Sequence, residues 1–166
     1  MNFWVCRYHF WLGSSATGAP ASSTTSHEVI INVGNVGGAK PSGSLVANGW
    51  SFFGNFWDVY KGAGSNWDTF TFTPSDGKAF SGSVGDMYGF FTYLTNEHDI
   101  SRTSCIQAAQ GGVEVFVGSG SLSSVFFLNM YEESVPSLEC RHNAPPSQRL
   151  SCPSNAQSCI ARASNV

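Results

Sequence analysis

A short apolar run near the start of the chain alternates between two kinds of face. The segment HEVIINV (27–33) is rich in β-branched residues, which is typical of a strand. Successive side chains of a strand point to opposite faces, so one face is aliphatic and predicted to be buried: Val29, Ile31 and Val33. The other face carries Glu28, Ile30 and Asn32, and we expect it to meet a polar environment.

Similar patterns predict further strands along the chain. The first ends near Trp11–Gly13, and an Asn48–Gly49 pair between apolar runs predicts a hairpin turn. The remaining predicted strands are 55–62, 67–74, 113–118 and 122–131. In 113–118 the aliphatic face carries Val113, Val115 and Val117, and Glu114 lies on the opposite face. Gly-rich and Ser-rich loops separate these segments.

In one segment the apolar residues recur at the spacing of a helix instead of that of a strand. In 81–98 the apolar residues recur at helical spacing: Val84, Met87, Tyr88, Phe91 and Leu94. We predict a single amphipathic helix there, in which Gly89 costs about 1 kcal/mol relative to Ala. About six strands and one helix indicate an all-β fold, a jelly-roll β-sandwich of antiparallel sheets with one packed helix.

Composition narrows the class of protein. Aromatic residues make up 14% and charged residues 11% of the chain, which is typical of extracellular β proteins and of carbohydrate binders. The net charge of −3 disfavours a nucleic-acid partner. No apolar run reaches the ~20 residues of a membrane-spanning helix. We expect no cofactor and no metal, because Cys140, Cys152, Cys159 and His142 lack the two close pairs of a zinc site.

The two ends of the chain differ from its middle. Residues 132–166 are rich in Ser, Pro, Arg and Cys without periodicity, so we predict a domain over 1–131 and a disordered tail over 132–166. Arg7 and His9 interrupt the apolar start, and a signal peptide is therefore not predicted. With five cysteines, at least one thiol is unpaired within the chain.

Two carboxylates stand out among the eleven acidic residues. Only Glu28 and Glu114 lie inside β-branched strands, each opposite an aliphatic face. Retaining glycosidases place two carboxyl groups roughly 5–5.5 Å apart, and neighbouring strands are ~4.8 Å apart, so glutamates on adjacent strands and one face would fit. The alternative is that both simply mark the solvent face of sandwich strands.

Four ordered motifs resemble glycoside hydrolase family 12, the β-jelly-roll endoglucanases and xyloglucanases. They are WLGSSATGAPASSTTSHEVIINVGNVGGAKPSG, WDVYKGAGSNWDTFTF, AFSGSVGDMYGFFTYLTNE and QGGVEVFVGSGSLS, and the resemblance runs from about residue 8 to residue 131. The resemblance implies Glu28 as nucleophile and Glu114 as acid/base in a double displacement on a β-1,4-glucan, either cellulose-like or xyloglucan. It implies an extracellular protein and substrate contacts from Asn32 and from Pro41, in a loop over the cleft.

The sequence departs from the family at defined positions. His9 stands where the family has an Asp against the nucleophile, and Asn32 stands where it has a Trp. The family's N-terminal strands have no counterpart, so we expect an N-terminally truncated, divergent member. Three hypotheses follow: a retaining endo-β-1,4-glucanase, an inactive relative that binds glucan or a proteinaceous glycosidase inhibitor, and an unrelated lectin-like sandwich.

Overall fold

The computed structural model describes residues 3–15, 18–64, 66–77 and 87–117. Its elements are β1 (Phe3–Gly13), β2 (Thr25–Val36), β3 (Ser44–Phe52), β4 (Asn55–Ala63), β5 (Asp68–Pro74), α1 (Tyr88–Glu97) and β6 (Cys105–Val117). The strands form one sheet in the order β3-β4-β5-β2-β1-β6. The predicted all-β class with one helix is confirmed.

The strand directions differ from the prediction at one place. β2 and β5 are parallel, whereas every other neighbouring pair is antiparallel. The expectation of purely antiparallel pairing is therefore wrong at the centre of the sheet. The predicted strand 122–131 and the predicted tail 132–166 lie outside the described residues.

The hydrophobic core lies on one face of the sheet, beneath α1. Residues in register share a face, and the row formed by Ile31, Phe72 and Val59 is fully buried. From α1, Phe90 and Leu94 join the same core cluster, each with 0% exposure. The predicted aliphatic face of β2 is thus confirmed, with Val29 fully buried and Val33 packed at the margin of the core.

The hairpin turn lies five residues beyond the predicted one. β3 continues through Asn48–Gly49, where the register with β4 shifts, and the chain turns at Phe53–Gly54 between the paired Phe52 and Asn55. Both turn residues have positive φ, 53° and 68°, as a two-residue turn of this kind requires.

The Asn–Gly segment is held as a bulge instead. The Asn48 side chain and the Gly49 amide both donate to Asp58 Oδ1, at 3.1 and 3.0 Å. The positive φ of Gly49 therefore belongs to this bulge and not to the predicted turn.

The predictions of which residues form the buried faces of α1 and β6 are partly wrong. On α1, Tyr88 is 71% exposed and Phe90 is the buried aromatic residue, because it lies edge-on to Trp57 at a ring-centroid distance of 5.0 Å. On β6, Val115 and Val117 are 62% and 59% exposed, so the predicted aliphatic face is uncovered there among the described residues. Residues 81–86 of the predicted helix lie outside the described ranges.

In the part of the chain that the structure describes, no helix is long and apolar enough to cross a membrane. The predicted boundary between 1–131 and 132–166 falls outside these residues and stays a prediction.

Gly89 has a packing role that helix propensity alone does not predict. A Cβ at this position would lie 2.0 Å from Cζ of Phe52, and the Phe52 ring is itself stacked on Trp50 at 4.9 Å. The ring therefore occupies the space that a side chain at position 89 would need.

We predict that Gly89→Ala lowers the free energy of unfolding by about 1–3 kcal/mol, because the clash outweighs the gain in helix propensity. Urea denaturation measures this. Asn96→Ala, at an exposed position of α1, is the control. In a cycle with Phe52→Ala, the cost of Gly89→Ala should largely vanish; a stabilising effect in the parent would contradict the packing argument.

Candidate active site

Glu28 lies at the centre of the sheet, on the face opposite α1. β2 runs between β1 and β5, and Glu28 is in register with Trp11 on one side and Thr69 on the other. The aliphatic neighbours Val29 and Ile31 anchor the other face of β2 in the core, which fixes the direction of the Glu28 side chain.

Three side chains bind the Glu28 carboxylate. His9 Nε2 contacts Oε1. Trp67 Nε1 and Thr69 Oγ1 donate to Oε2, at 3.1 and 2.5 Å. The side chain of Glu28 is only 14% exposed and that of His9 16%, so these bonds form away from most of the solvent. Both carboxylate oxygens are therefore satisfied by the protein itself.

Aromatic rings hold these donors in place. The His9 ring stacks on Trp11 at 4.6 Å, and Trp11 lies edge-on to Trp67 at 5.5 Å. A short turn before β5 carries Trp67, and the Gly64 amide closes it by donating to the Trp67 carbonyl at 2.7 Å. His9, Trp11 and Trp67 thus form a wall around Glu28.

The surroundings of Glu28 favour its ionised form. Burial would raise the pKa of Glu28, but hydrogen bonds from His9, Thr69 and Trp67, with the charge of His9, outweigh burial and lower the pKa to about 2. A carboxylate that is ionised throughout the physiological range is suited to nucleophilic attack rather than to proton donation.

Glu114 lies on the same face as Glu28 but at a distance. β1 separates β6 from β2, and Glu114 is in register with Val5, six residues along β1 from the partner of Glu28. Six residues of strand correspond to about 20 Å, which separates the backbones of Val5 and Trp11, the β1 partners of Glu114 and Glu28. The prediction of neighbouring strands is therefore wrong, whereas the prediction of a shared face agrees with the register.

An ion pair holds Glu114. Arg7 Nη2 lies 2.6 Å from Glu114 Oε2, and the two side chains are 32% and 43% exposed. Arg7 and His9 are two residues apart on β1 and therefore point to the same face. The structure thus places two carboxylates on one polar face, each bound to a different basic residue of β1.

The two predicted substrate contacts are separated from each other. Asn32 lies on the Glu28 face of β2, four residues from Glu28, and is 6% exposed. Pro41 lies in the loop after β2. The last residue of β2, Val36, is eight residues from Glu28, which corresponds to about 26 Å of strand. In that loop Asn35 holds Ala39 by two hydrogen bonds, at 2.7 and 2.9 Å. The structure brings only Asn32 towards the carboxylates.

Sequence reasoning missed two of the three donors around Glu28. The resemblance put His9 at the position of the family's aspartate against the nucleophile, and His9 contacts Glu28 in the structure. Trp67 and Thr69 reach Glu28 because β2 and β5 pair in parallel, a long-range feature that local patterns do not contain. The one available signal was their spacing, two residues apart and hence on one face.

In the described ranges, the metal-donor residues form no second site. Among the described residues no cluster of His, Cys, Asp or Glu could hold a metal ion. Cys6 is a free thiol, and partial burial raises its pKa.

An ionised glutamate held on a sheet face has the chemistry that the nucleophile of a retaining glycosidase needs. The chain belongs to glycosyl hydrolase family 12, whose sequence model matches residues 5–135. This membership excludes the unrelated lectin-like sandwich.

The chain is similar to a probable xyloglucan-specific endo-β-1,4-glucanase A of Aspergillus clavatus, with 34% identity over 71% of this chain and 47% of the relative. It is also similar to an inactive glycoside hydrolase, XLP1, of Phytophthora nicotianae, with 26% identity over 66% of this chain and 46% of that protein. The chain spans about half the length of the curated relatives it matches.

The fold is shared with a solved family 12 xyloglucanase from Bacillus licheniformis. The TM-score is 0.60 and the sequence identity 26%, and the match covers 70% of this chain and 50% of that one. Structural neighbours of this family are jelly-roll β-sandwiches, in agreement with the predicted fold class.

The lowered pKa of Glu28 predicts a pH-dependent stability. The pKa is about 2 in the folded chain and 4.5 without the fold, so the contribution is complete above about pH 4.5 and is lost as the pH falls towards 2. We expect it to be roughly 2–3 kcal/mol. Urea denaturation at pH 7 and pH 3 measures it.

In Glu28→Gln this part of the pH dependence should disappear, with lower stability than the parent at pH 7. Glu97→Gln, at an exposed glutamate of α1, is the control and should leave the dependence in place. An identical acid dependence in the parent and in Glu28→Gln would contradict the three-donor site.

Proposed function

We propose that this chain acts on a β-1,4-glucan as a retaining glycoside hydrolase, with Glu28 as the nucleophile. The observation that carries the proposal is the ionised Glu28 carboxylate, bound by His9, Trp67 and Thr69. An ionised carboxylate offers about four acceptor positions, and three are used here. One remains for attack on an anomeric carbon.

The reaction has two displacements. An oxygen of Glu28 attacks the anomeric carbon, the bond to the leaving sugar breaks, and the leaving oxygen takes a proton. Water then attacks the glycosyl ester of Glu28 and gives up a proton, which restores the carboxylate. By resemblance to the family, Glu114 is the proposed donor in the first step and acceptor in the second, a role that requires its carboxyl group to come within roughly 5–5.5 Å of that of Glu28.

His9 has a defined part in this scheme. The negative charge of Glu28 decreases when the ester forms, so hydrogen bonds to Oε1 and Oε2 weaken in that step and strengthen again when the ester is hydrolysed. A histidine against Oε1 therefore favours the second displacement, in which Glu28 becomes the leaving group.

The substrate follows from the relatives. Proteins named xyloglucan-specific endo-β-1,4-glucanases are among those most similar to this chain, so we propose xyloglucan or a cellulose-like glucan as the substrate and an extracellular place of action. Asn32 is proposed to contact the glucan, and Pro41 is proposed to do so from the loop after β2.

A second function is favoured by the position of Glu114. Glu114 is paired with Arg7, and its partner on β1 lies six residues from the partner of Glu28, so no second carboxyl group lies beside Glu28 among the described residues. In that case the chain binds glucan, or a proteinaceous glycosidase inhibitor, without cleaving the polysaccharide. Similarity to a protein named as an inactive glycoside hydrolase supports this candidate.

Two substrates separate the functions. A dinitrophenyl β-cellobioside has a leaving group that needs no proton, whereas xyloglucan and β-glucan need one. We predict that the chain cleaves the aryl glycoside and that Glu28→Gln lowers this rate by at least about 10³-fold. The rates are measured by release of dinitrophenol and of reducing ends.

Glu114→Gln provides the second comparison. If Glu114 is the acid/base, this variant loses hydrolysis of polysaccharide but keeps formation of the ester from the aryl glycoside. If the parent cleaves only the aryl glycoside, the second function is favoured. Equal activities of the parent and Glu28→Gln on both substrates would overturn the assignment of Glu28.

A further inference from the structure

Asn48 and Gly49 form the only Asn–Gly pair of the chain. They lie in the bulge of β3, where the register shift places these two residues opposite Asp58 alone on β4. In an Asn–Gly pair the backbone nitrogen of the glycine can attack the side-chain amide of the asparagine, because glycine has no side chain to hinder the approach. The pair is therefore a candidate site of chemical modification, apart from the chemistry at Glu28.

The first observation at this site is its accessibility. Asn48 is an exposed residue, so water reaches its side-chain amide. A Cβ built on Gly49 would meet nothing within 4 Å among the described residues. Close packing therefore does not restrain the pair, and any restraint must come from hydrogen bonds.

The second observation is that one oxygen binds both reacting groups. Asp58 Oδ1 accepts from Asn48 Nδ2 at 3.1 Å and from the Gly49 amide at 3.0 Å. Both donors are lost in the attack, because Nδ2 departs as ammonia and the Gly49 nitrogen gives up its proton. A hydrogen bond to the protonated nitrogen and a neighbouring negative charge both disfavour loss of that proton. The closed bulge thus stabilises the unreacted pair.

The third observation concerns the product of the reaction. Hydrolysis would leave a carboxylate at position 48, with an oxygen in place of the Nδ2 atom that lies 3.1 Å from Asp58 Oδ1. A hydrogen-bond donor would be replaced by a like charge, which repels Asp58. Trp50 follows directly in β3, and its ring lies 4.5 Å from that of Tyr93 in α1. Opening of the bulge would therefore disturb the strand next to a contact with the helix.

We propose that Asn48 is a site of spontaneous deamidation that Asp58 keeps closed, and that its conversion loosens β3 from β4. The Gly49 nitrogen loses its proton and bonds to Cγ of Asn48, the bond from Cγ to Nδ2 breaks, and ammonia leaves. Water then opens the cyclic imide at either carbonyl carbon and gives aspartate or isoaspartate. Water is consumed and ammonia released, with no oxidation or reduction. This site does not depend on the proposed function.

The parent chain tests the restraint without any substitution. Peptide mass spectrometry after long incubation in mildly alkaline buffer measures the conversion of Asn48. We expect the folded chain to react at least about tenfold more slowly than the same chain in urea, since the bulge must first open. Asn96, exposed on α1 and followed by Glu97, is the internal reference and should stay an asparagine over the same period. Equal rates at Asn48 in buffer and in urea would overturn the restraint.

Asp58→Ala tests the residue that provides the restraint. The rate at Asn48 in the folded variant should rise at least about fivefold, because both hydrogen bonds to Oδ1 are gone. Ser75→Ala is the matched control, since Ser75 donates to the same oxygen and its loss leaves the bonds from Asn48 and Gly49 in place. This control should react as the parent does, and hydrogen exchange of the α1 amides verifies that both variants are folded. An unchanged or lower rate in Asp58→Ala would overturn the role of Asp58.

Asn48→Asp tests the consequence of the reaction, because it reproduces one product. Asn48→Ala removes the same donor without adding a charge. At neutral pH, Asn48→Asp should unfold at a lower urea concentration than Asn48→Ala and should exchange its β3 and β4 amides faster. In the Asp58→Ala background this difference should vanish. Equal urea midpoints for the two variants at position 48 would contradict the loosening of β3 by charge.

Discussion

The Glu28 carboxylate is held as an anion inside a sheet, and this requirement organises the polar half of the structure. An ionised group with 14% exposure is costly unless its oxygens receive hydrogen bonds. His9, Trp67 and Thr69 supply these bonds from β1, from the turn before β5 and from β5. Three segments of the chain must therefore be brought together around one side chain.

The opposite face of the sheet makes this possible. Ile31, Phe72 and Val59 form one buried row across β2, β5 and β4, and α1 adds Phe90 and Leu94. A one-residue slip of β2 against β5 would move Glu28 into this core, so burial of the apolar row fixes the register that aligns Glu28 with Thr69. Burial of apolar side chains on one face of the sheet thus fixes which side chains surround the Glu28 carboxylate on the other face.

Features of the structure that depend on local sequence patterns were predicted correctly. The two faces of β2 followed from alternation alone, and four ordered motifs indicated the family that the comparison then established. The hairpin turn at Asn48–Gly49 was wrong because Asp58, ten residues away, binds that segment as a bulge. The parallel pairing of β2 with β5 and the contact of His9 with Glu28 depend on long-range topology, which local periodicity does not contain.

Glu114 illustrates the same limit at the site. Its place in a β-branched strand identified it as unusual, but its partner Arg7 and its distance from Glu28 along β1 depend on the order of strands in the sheet. The pairing of β6 with β1 places Glu114 against Arg7 and away from Glu28.

The most direct test of the account is the site of covalent labelling by a 2-deoxy-2-fluoro-β-cellobioside with a dinitrophenyl leaving group. This reagent needs a nucleophile but no proton donor, so it examines Glu28 independently of Glu114. Peptide mass spectrometry should locate a single glycosyl ester on Glu28 and none in Glu28→Gln. An ester on another carboxylate, or no ester at any pH between 5 and 8, would contradict the role of Glu28 as nucleophile.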